Sequence, residues 1–538
     1  MKLREIALTP PIVAIIISIG LMFDASATDR YVTAELDYGW GKDGKPVEGD
    51  KIYDKLQAAI KDSSDEDTIW LKDGFVSEET YSPKASGWGN NVGIYLNKKA
   101  ITIRSVSGDA RTGNPPALKG KPPTTVKFRL PDGRAIGSGA VCAIYVKESA
   151  ATFMGIVFEG GSTTESQSSS WGGGGVMMAN SPVVFDKCVF RNNNGGYGGG
   201  ALAKTTGWDD APTYTDCVFS NNWAWFQAAA AYGRATYERC EIINNGTTNT
   251  SSQGWCSGVC GAGTGFNARA RMYDCIVSNN VNNGAKEGGA LEYVRAVRTL
   301  VADNATRSGS GAGAIYSTLV DCEVRDNEAK GSAGGGGVFG CILTNCLVHG
   351  NSAGGSGGGV YGGTTIGCVI SNNSAKATGG GMYFSSLAYT NIGNRIVYNR
   401  ATSTSSGGAG IFARDGGSSY GCLIAFNDVV RTESSVTAAG VSSTWTQADS
   451  GKRYSRLVNC TVVSNSIVST KSGSCTGGVF QGNLVNTIVI GNTLNRTLSN
   501  LSSIPTATNS CSPTLTRPAD QAAGCTTADP KFRRGCVY

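Results

Sequence analysis

The stretch Cys188–Leu202, CVFRNNNGGYGGGAL, sets the reading of the whole chain. It opens with a short apolar strand, turns at an asparagine, and restarts at a glycine triplet followed by a second apolar strand. The same phrase returns from Cys275 (CIVSNN…GGAL), Cys322 (CEVRDN…GGGGVF), Cys346 (CLVHGN…GGGVY), Cys368 (CVISNN…GGGMY) and Cys460 (CTVVSN…GGVF). A repeat of this length fixes an architecture before any single residue is interpreted.

Aligned on the turn asparagine, the copies fall at Asn193, Asn222, Asn245, Asn280, Asn304, Asn327, Asn351, Asn373, Asn399, Asn427, Asn465 and Asn492. The gaps run from 22 to 38 residues with a floor near 22, as expected of one structural turn of fixed size with insertions in its loops. Cysteine stands five residues before the asparagine in nine of the twelve copies. The residue three before it is always apolar, from Phe190 and Phe219 to Val462 and Val489, and the residue between those two is mixed. Alternate side chains therefore point inward and outward. Each short strand must bury its inner face on its copy in the next repeat. The predicted fold is accordingly all-β, a right-handed parallel β-helix solenoid of the pectate-lyase-like kind. Leucine-rich repeats share the period but need regularly spaced leucines, which this chain lacks.

A solenoid has no size limit, so 538 residues need not mean several domains. Residues 1–27 read as a signal peptide: Lys2 and Arg4, an apolar run from Ile6 to Phe23, and a small-residue site at Ala25-Ser26-Ala27. Residues 28–94 form an N-terminal cap and first strand, in which Lys51–Lys61 has helical spacing and closes the open end of the solenoid. Residues 95–495 carry the β-helix repeats, roughly 16 coils and on the order of 75 Å at strand spacing. Residues 496–538 read as an irregular, truncated tail. Nothing after the leader approaches the ~18 apolar residues of a membrane helix, so the expected location is secreted, extracellular or at a bacterial outer cell surface. The net charge of +6 comes with no basic cluster interleaved with aromatics, which argues against a nucleic-acid partner.

Seventeen cysteines could frame disulfides. Nine of them occupy the repeated rung (Cys188, Cys217, Cys240, Cys275, Cys322, Cys346, Cys368, Cys422 and Cys460), where Cys reads as a small apolar side chain. The disulfide candidates are Cys256–Cys260 and Cys511–Cys525. The asparagines read as a structural turn ladder of stacked amides. Asp216, Asp274, Asp321, Asn345 and Asn459 directly precede the Cys rung, and side-chain-to-backbone hydrogen bonds at a repeated turn account for them. The acid-rich Asp62–Thr68 reads as a solvated turn, and the only histidine, His349, as an outward strand residue.

The pairing of GGA plus Ile, Leu or Val with FxxN resembles the repeat signature of the polymorphic outer-membrane protein family of bacterial surface proteins. FRNN at 190–193, FSNN at 219–222 and GGAL at 199–202 and 288–291 carry the resemblance, which spans about residues 172–495. It implies a secreted right-handed β-helix with an adhesin role, although most later repeats have Ile or Val in place of Phe. The family's usual terminal barrel has no counterpart after residue 495. There the segment VNTIVIGN, a Cys pair and DPKF is similar to bacterial choice-of-anchor β-helix proteins.

No catalytic constellation is read from the sequence, and no cofactor or metal is expected. In the regular coils the loop between asparagine and glycine triplet holds only Glu287 and Glu328 as acids, whereas a glycosidase needs paired carboxylates. The alternative is a secreted polysaccharide lyase or glycoside hydrolase, with Ca²⁺ a cofactor only in the lyase case. The one distinctive region is Trp171, Trp208, Trp223, Trp225 and Trp255, five of nine tryptophans, in or beside inserted loops. Asp209, Asp210, Arg234, Arg269 and Arg271 lie close to them in sequence. Exposed aromatic faces suit sugar rings, and loops collect function. The expected partner is therefore a polysaccharide or a host or neighbouring cell surface, bound by an adhesin-like rod.

Overall fold

The chain is described by a computed structural model over residues 28–32, 52–73, 75–77, 92–110, 125–127, 142–162, 173–248, 255–262, 269–284, 288–332, 334–386, 388–402, 407–414, 416–432, 438–444, 454–469, 475–514 and 524–528. The expected leader, Trp171 and Glu287 lie outside these residues.

Each coil follows one plan. In a short one, Ala314–Ile315 and Thr318–Val320 lie in one sheet, Glu323–Arg325 in a second and Glu328–Ala329 in a third. The chain then passes through Gly335–Gly337 into Val338 of the next coil. Successive coils pair parallel and in register, so Val324 meets Val301 on one side and Val348 on the other. The outcome is sheets of 31, 15 and 13 strands, the longest taking two strands per coil. This is a right-handed parallel β-helix with one short helix among the described residues. Fifteen stacked strands in the second sheet correspond to a rod of about 70 Å.

Most corners follow from a two-residue device. One residue adopts left-handed backbone and the next turns its side chain inward, in most coils to hydrogen-bond the strand ends and in others, as at Ile156 and Val294, to pack as an apolar rung. At the third corner that second residue is the ladder asparagine. Asn327 Nδ2 donates to Val301 O and to Asn351 Oδ1, both at 2.9 Å. Its Oδ1 accepts the backbone N–H and the Nδ2 of Asn304. The pattern runs from Asn193 to Asn492 and ends on a thirteenth rung, Asn500, that the repeat reading did not include. Because each interior rung serves both neighbours, the buried amides from Asn222 to Asn492 are satisfied by each other and by backbone, whereas the terminal Asn500 Nδ2 has no partner among the described residues.

The second corner corrects the reading of cysteine as a purely apolar rung. Cys322 Sγ lies 3.2 Å from Val320 O and 3.6 Å from Ala296 O in the preceding coil, and accepts the N–H of Thr299 at 3.4 Å. Thr299, Asn394, Thr487 and Ser510 occupy the same place with oxygen or amide groups. The residues before the cysteines take φ of about +50°, including Asp216, Asp274, Asp321, Asn345 and Asn459. Asp and Asn recur there because they tolerate left-handed backbone. Two of the acids also meet arginines of the next coil: Asp216 pairs with Arg239, and Asp274 with Arg298.

Inside, aromatic and aliphatic rungs stack. Phe153, Phe185, Tyr214 and Tyr237 lie face to face at 5.0–5.2 Å, and Phe158, Phe190 and Phe219 form a parallel column. The long sheet already begins at Asp29–Val32, paired with Thr68–Leu71, ahead of the expected start of the repeats. The helix α1 (Leu56–Asp62) is shorter than the expected Lys51–Lys61 because Ile52–Tyr53 joins the sheet. It buries Leu56, Ala59 and Ile60 at the end of the solenoid. The acid-rich turn after α1 is not simply solvated. Asp67 is buried and accepts the Arg30 guanidinium and the N–H groups of Thr28 and Ser64. Past residue 495 the coils continue, with Leu501–Ser502 and Ala507–Thr508 paired to the preceding turn.

Neither expected disulfide is formed, and all sixteen cysteines among the described residues are free thiols. Cys256 Sγ lies 3.4 Å from Ala290 O, and Cys260 Sγ lies 3.3 Å from Gly261 O. Cys511 Sγ lies 3.0 Å from Ala528 O, and Cys525 Sγ accepts the N–H of Ser510 as a further rung of the second corner. Each sulfur is already engaged by backbone.

Candidate functional site

The described tryptophans do not converge on one face. Trp208 lies over the long sheet, in the loop after Ala201–Lys204. Arg271 Cζ is 3.6 Å from the centre of its ring, Arg234 Cζ is at 5.8 Å, and Arg234 Nη1 donates to Gly207 O. Asp210 closes the same loop by accepting the N–H groups of Thr206 and Gly207 and the Thr206 hydroxyl. Burial works against its charge, but these hydrogen bonds outweigh it and hold the carboxyl below the usual range. Lys204, at the loop's root, is pulled down to about 8 by burial. Trp223 and Trp225 instead project from the 13-stranded sheet, with Trp223 41% exposed and its ring lying over Gly246. Trp255 is half-buried, and its N–H donates to Phe226 O. Asp209 is exposed, while Arg269 belongs to a different arrangement.

That arrangement lies at the first corner, where the two halves of the long sheet meet. Register aligns Arg269, Tyr293, Tyr316, Gly340 and Gly362 in one row, one residue per coil. Tyr293 has φ of +52° and Tyr316 of +47°, where the neighbouring coils place Gly340 and Gly362. Bulky side chains on left-handed backbone cost on the order of 1–3 kcal/mol each. The two rings stack at 5.7 Å and 15°. Tyr316 leans over Gly340, where a Cβ would sit 2.8 Å from the ring.

Arg269, Tyr293, Tyr316 and Gly340, with Ser317 and the exposed Ile342, line a groove of about 430 Å³. At one end Arg269 Nη1 donates to Thr318 Oγ1 at 2.8 Å, while its buried Nε has no partner among the described residues. A buried guanidinium N–H without an acceptor is costly unless a ligand supplies one. Stacked aromatic edges, a side-chain-free floor and an arginine with a donor to spare suit a ring-shaped polar ligand carrying an anionic group. Among the described residues no group of three or more His, Cys, Asp or Glu is placed to hold a metal ion. His349 points outward with Nε2 3.0 Å from Glu323 Oε1, and Glu328 pairs with Lys330.

The sequence reading passed over the tyrosine pair because Tyr is unremarkable in a strand-rich chain. The signal lay in position: Tyr316 immediately precedes Ser317, which hydrogen-bonds like a ladder residue at this corner, where the next coil has Gly340 before Cys341.

No family model matches the chain, and no curated protein does. Solved structures that align with it include a pectin methylesterase in complex with a hexasaccharide, at 10% identity and TM-score 0.28 over 60% of this chain and 80% of that one. A tailspike protein of bacteriophage CBA120 aligns at 12% identity and TM-score 0.31, covering 73% and 56%. The A-module of an Azotobacter vinelandii mannuronan C-5 epimerase aligns at 13% identity and TM-score 0.27, covering 88% and 95%.

Proposed function

We propose that this chain is an exported, adhesin-like β-helix rod that binds carboxylate-bearing polysaccharide along the groove at its first corner, without chemistry of its own. The observation that carries the reading is the strained, stacked Tyr293–Tyr316 pair beside the half-buried Arg269, whose Nε is buried without a partner among the described residues. Both features carry a cost: Tyr316 packs edge-on against Phe339, but the left-handed tyrosines stand where glycine serves the next coils, and a guanidinium N–H without an acceptor is costly as well. A uronate residue offers a C–H face to the aromatics and a carboxylate to the arginine. The leader-like residues 1–27 and the FRNN and GGAL repeats support export and a surface role.

The test is calorimetric titration of the full chain with oligogalacturonate and oligoalginate, against dextran as a neutral control. Wild type is expected to bind the acidic oligomers. Arg269→Gln removes a charge-assisted contact of about 1.5–3 kcal/mol, so it should weaken binding roughly tenfold or more. Tyr316→Asn should lose binding while melting at the same or a higher temperature, since Asn180 already serves this corner at φ +47°. Equal affinity for acidic and neutral polymers, or indifference to both substitutions, would sink the proposal. Unsaturated uronates accumulating during incubation with Ca²⁺ would replace it by the lyase reading.

A further inference from the structure

Among the described residues four aromatic side chains stand on left-handed backbone, and they form two pairs in adjacent coils. The second pair is Tyr398 and Phe426, at φ of +59° and +56°. They sit at the third corner, directly before the buried ladder rungs Asn399 and Asn427. Other coils place Asn279, Asp303, Asp326, Gly350 or Asn372 there. The two rings stack at 5.1 Å and 9° and are 56% and 48% exposed.

The ladder at this corner does not depend on this pair. The inward work at these corners belongs to Asn399 and Asn427, whose amides are satisfied within the ladder. Exposed rings contribute little burial, and left-handed backbone disfavours them. Strained, outward aromatics in two consecutive coils point to a ligand.

We infer that Tyr398 and Phe426 form a saccharide-binding platform for neutral hexose rings. It lies three coils beyond Tyr316 and on a different corner, so it goes beyond the acidic groove and does not rest on it. In the rows along the rod, the pair is flanked by the short side chains of Asn372 and Ser464. In the adjoining sheet Arg400 and Asp428 stand in register, and Asp428 accepts the Ser466 hydroxyl at 2.7 Å. This cation and anion supply donors and acceptors for hydroxyl groups. A pyranose matches this surface, with an apolar C–H face for the rings and hydroxyls at its edge. A second protein is a poorer fit. Two rings in a polar rim fall far short of the ~800 Å² per partner that a stable interface buries.

The experiment titrates the full chain calorimetrically with cellohexaose, maltohexaose and mannohexaose, and repeats it with the double variant Tyr398→Asn/Phe426→Asn. Asparagine is what Asn279 and Asn372 supply at this corner, so the variant should fold with an unchanged or higher melting temperature. At least one hexasaccharide is expected to bind wild type, with affinity falling about tenfold or more in the double variant. Tyr316→Asn should leave that binding intact, which separates this platform from the acidic groove. The inference is overturned if none of the three binds, or if binding survives the double substitution. A wild-type dimer in sedimentation that the variant loses would also overturn it, because the rings would then face a second copy.

Discussion

A single buried sulfur shows how the corners are made. Cys346 Sγ lies 3.3 Å from Thr344 O and 3.4 Å from Leu319 O, while its own N–H is accepted by Cys368 Sγ. If cysteine served only as a small apolar rung, Cys346→Ala would be better tolerated than Cys346→Ser. The hydrogen-bonded geometry predicts the reverse, with Ala costing about 1 kcal/mol more, because the Cys368 Sγ acceptor arrangement is kept but the strand-end carbonyls lose a second donor beside the ladder N–H that Thr344 O already accepts from Asp321. Urea melts of the two variants decide between them. The same geometry requires the protonated thiol. Burial pushes Cys142 and Cys341 up to about 12, so neither should react with a disulfide reagent at neutral pH until the chain unfolds. Lys204 gives a pH signature of opposite sign. Its folded value of about 8 lies below its ordinary 10.5, so charging it is disfavoured in the fold. Stability should therefore rise as pH climbs from about 8 to 10.5 and level off above it, and Lys204→Met should flatten that slope in melts taken across the range. The cysteine spacing was legible in the sequence, but its role was not. Size alone favours an apolar rung, and only the placement of Sγ against strand carbonyls reveals the hydrogen bond.

At the level of the element, the glycine triplets set how closely one coil follows the next. A Cβ on Gly358 would lie 2.3 Å from Ser374 O and 2.4 Å from Gly380 O, both backbone atoms that cannot move aside. Gly393, by contrast, has nothing within 4 Å of the same position among the described residues, and its φ of +62° is close to that of Asn345 and Asn459 at the same step two coils away on either side. Gly358→Ala is accordingly expected to destabilise by several kcal/mol, on the order of an overpacked core, whereas Gly393→Asn should stay within about 0.5 kcal/mol of wild type. Thermal unfolding of the pair tests this. Two glycines of successive repeats thus differ for reasons that a count of glycine could not supply. The repeat itself was readable because its inward residue, from Phe190 to Val489, never lapses, and the ladder asparagines followed from it. The candidate sites were harder to see. Trp208 and the Trp223–Trp225 pair are near in sequence yet project from different sheets, since fewer than twenty residues take the chain around a corner. Tyr398 and Phe426 stood in plain view as Tyr-Asn and Phe-Asn where other repeats read Asn-Asn or Asp-Asn. Their meaning needed the left-handed backbone at that step.

For the molecule as a whole, stability is a sum over stacked coils and the contacts between neighbours, so a coil is a removable unit. The cleanest excision is Cys346–Gly367, a stretch of 22 residues. Thr344 and Ile366 are register partners, as are Leu347 and Val369, so joining Asn345 to Cys368 leaves each corner in place. Asn327 would then donate to Asn373 where it now meets Asn351, and Cys322 would adjoin Cys368 through the same carbonyl pattern. Val338 would pair with Met382, which now pairs with Val360, itself the partner of Val338. The deletion spares Tyr293, Tyr316, Gly340 and Ile342 at the first corner and Tyr398 and Phe426 at the third. The shortened chain is expected to fold with an unchanged β-sheet circular dichroism spectrum and a rod shorter by about 4.8 Å in solution scattering. Its melting temperature should fall only slightly, because one coil and one interface are lost while the rest are untouched. Each ligand site should keep its own affinity, with the two platforms brought one coil closer together. Aggregation, or loss of both binding activities at once, would show instead that the coils cooperate over long range and that the corner ladders act as continuous spines rather than neighbour-to-neighbour links.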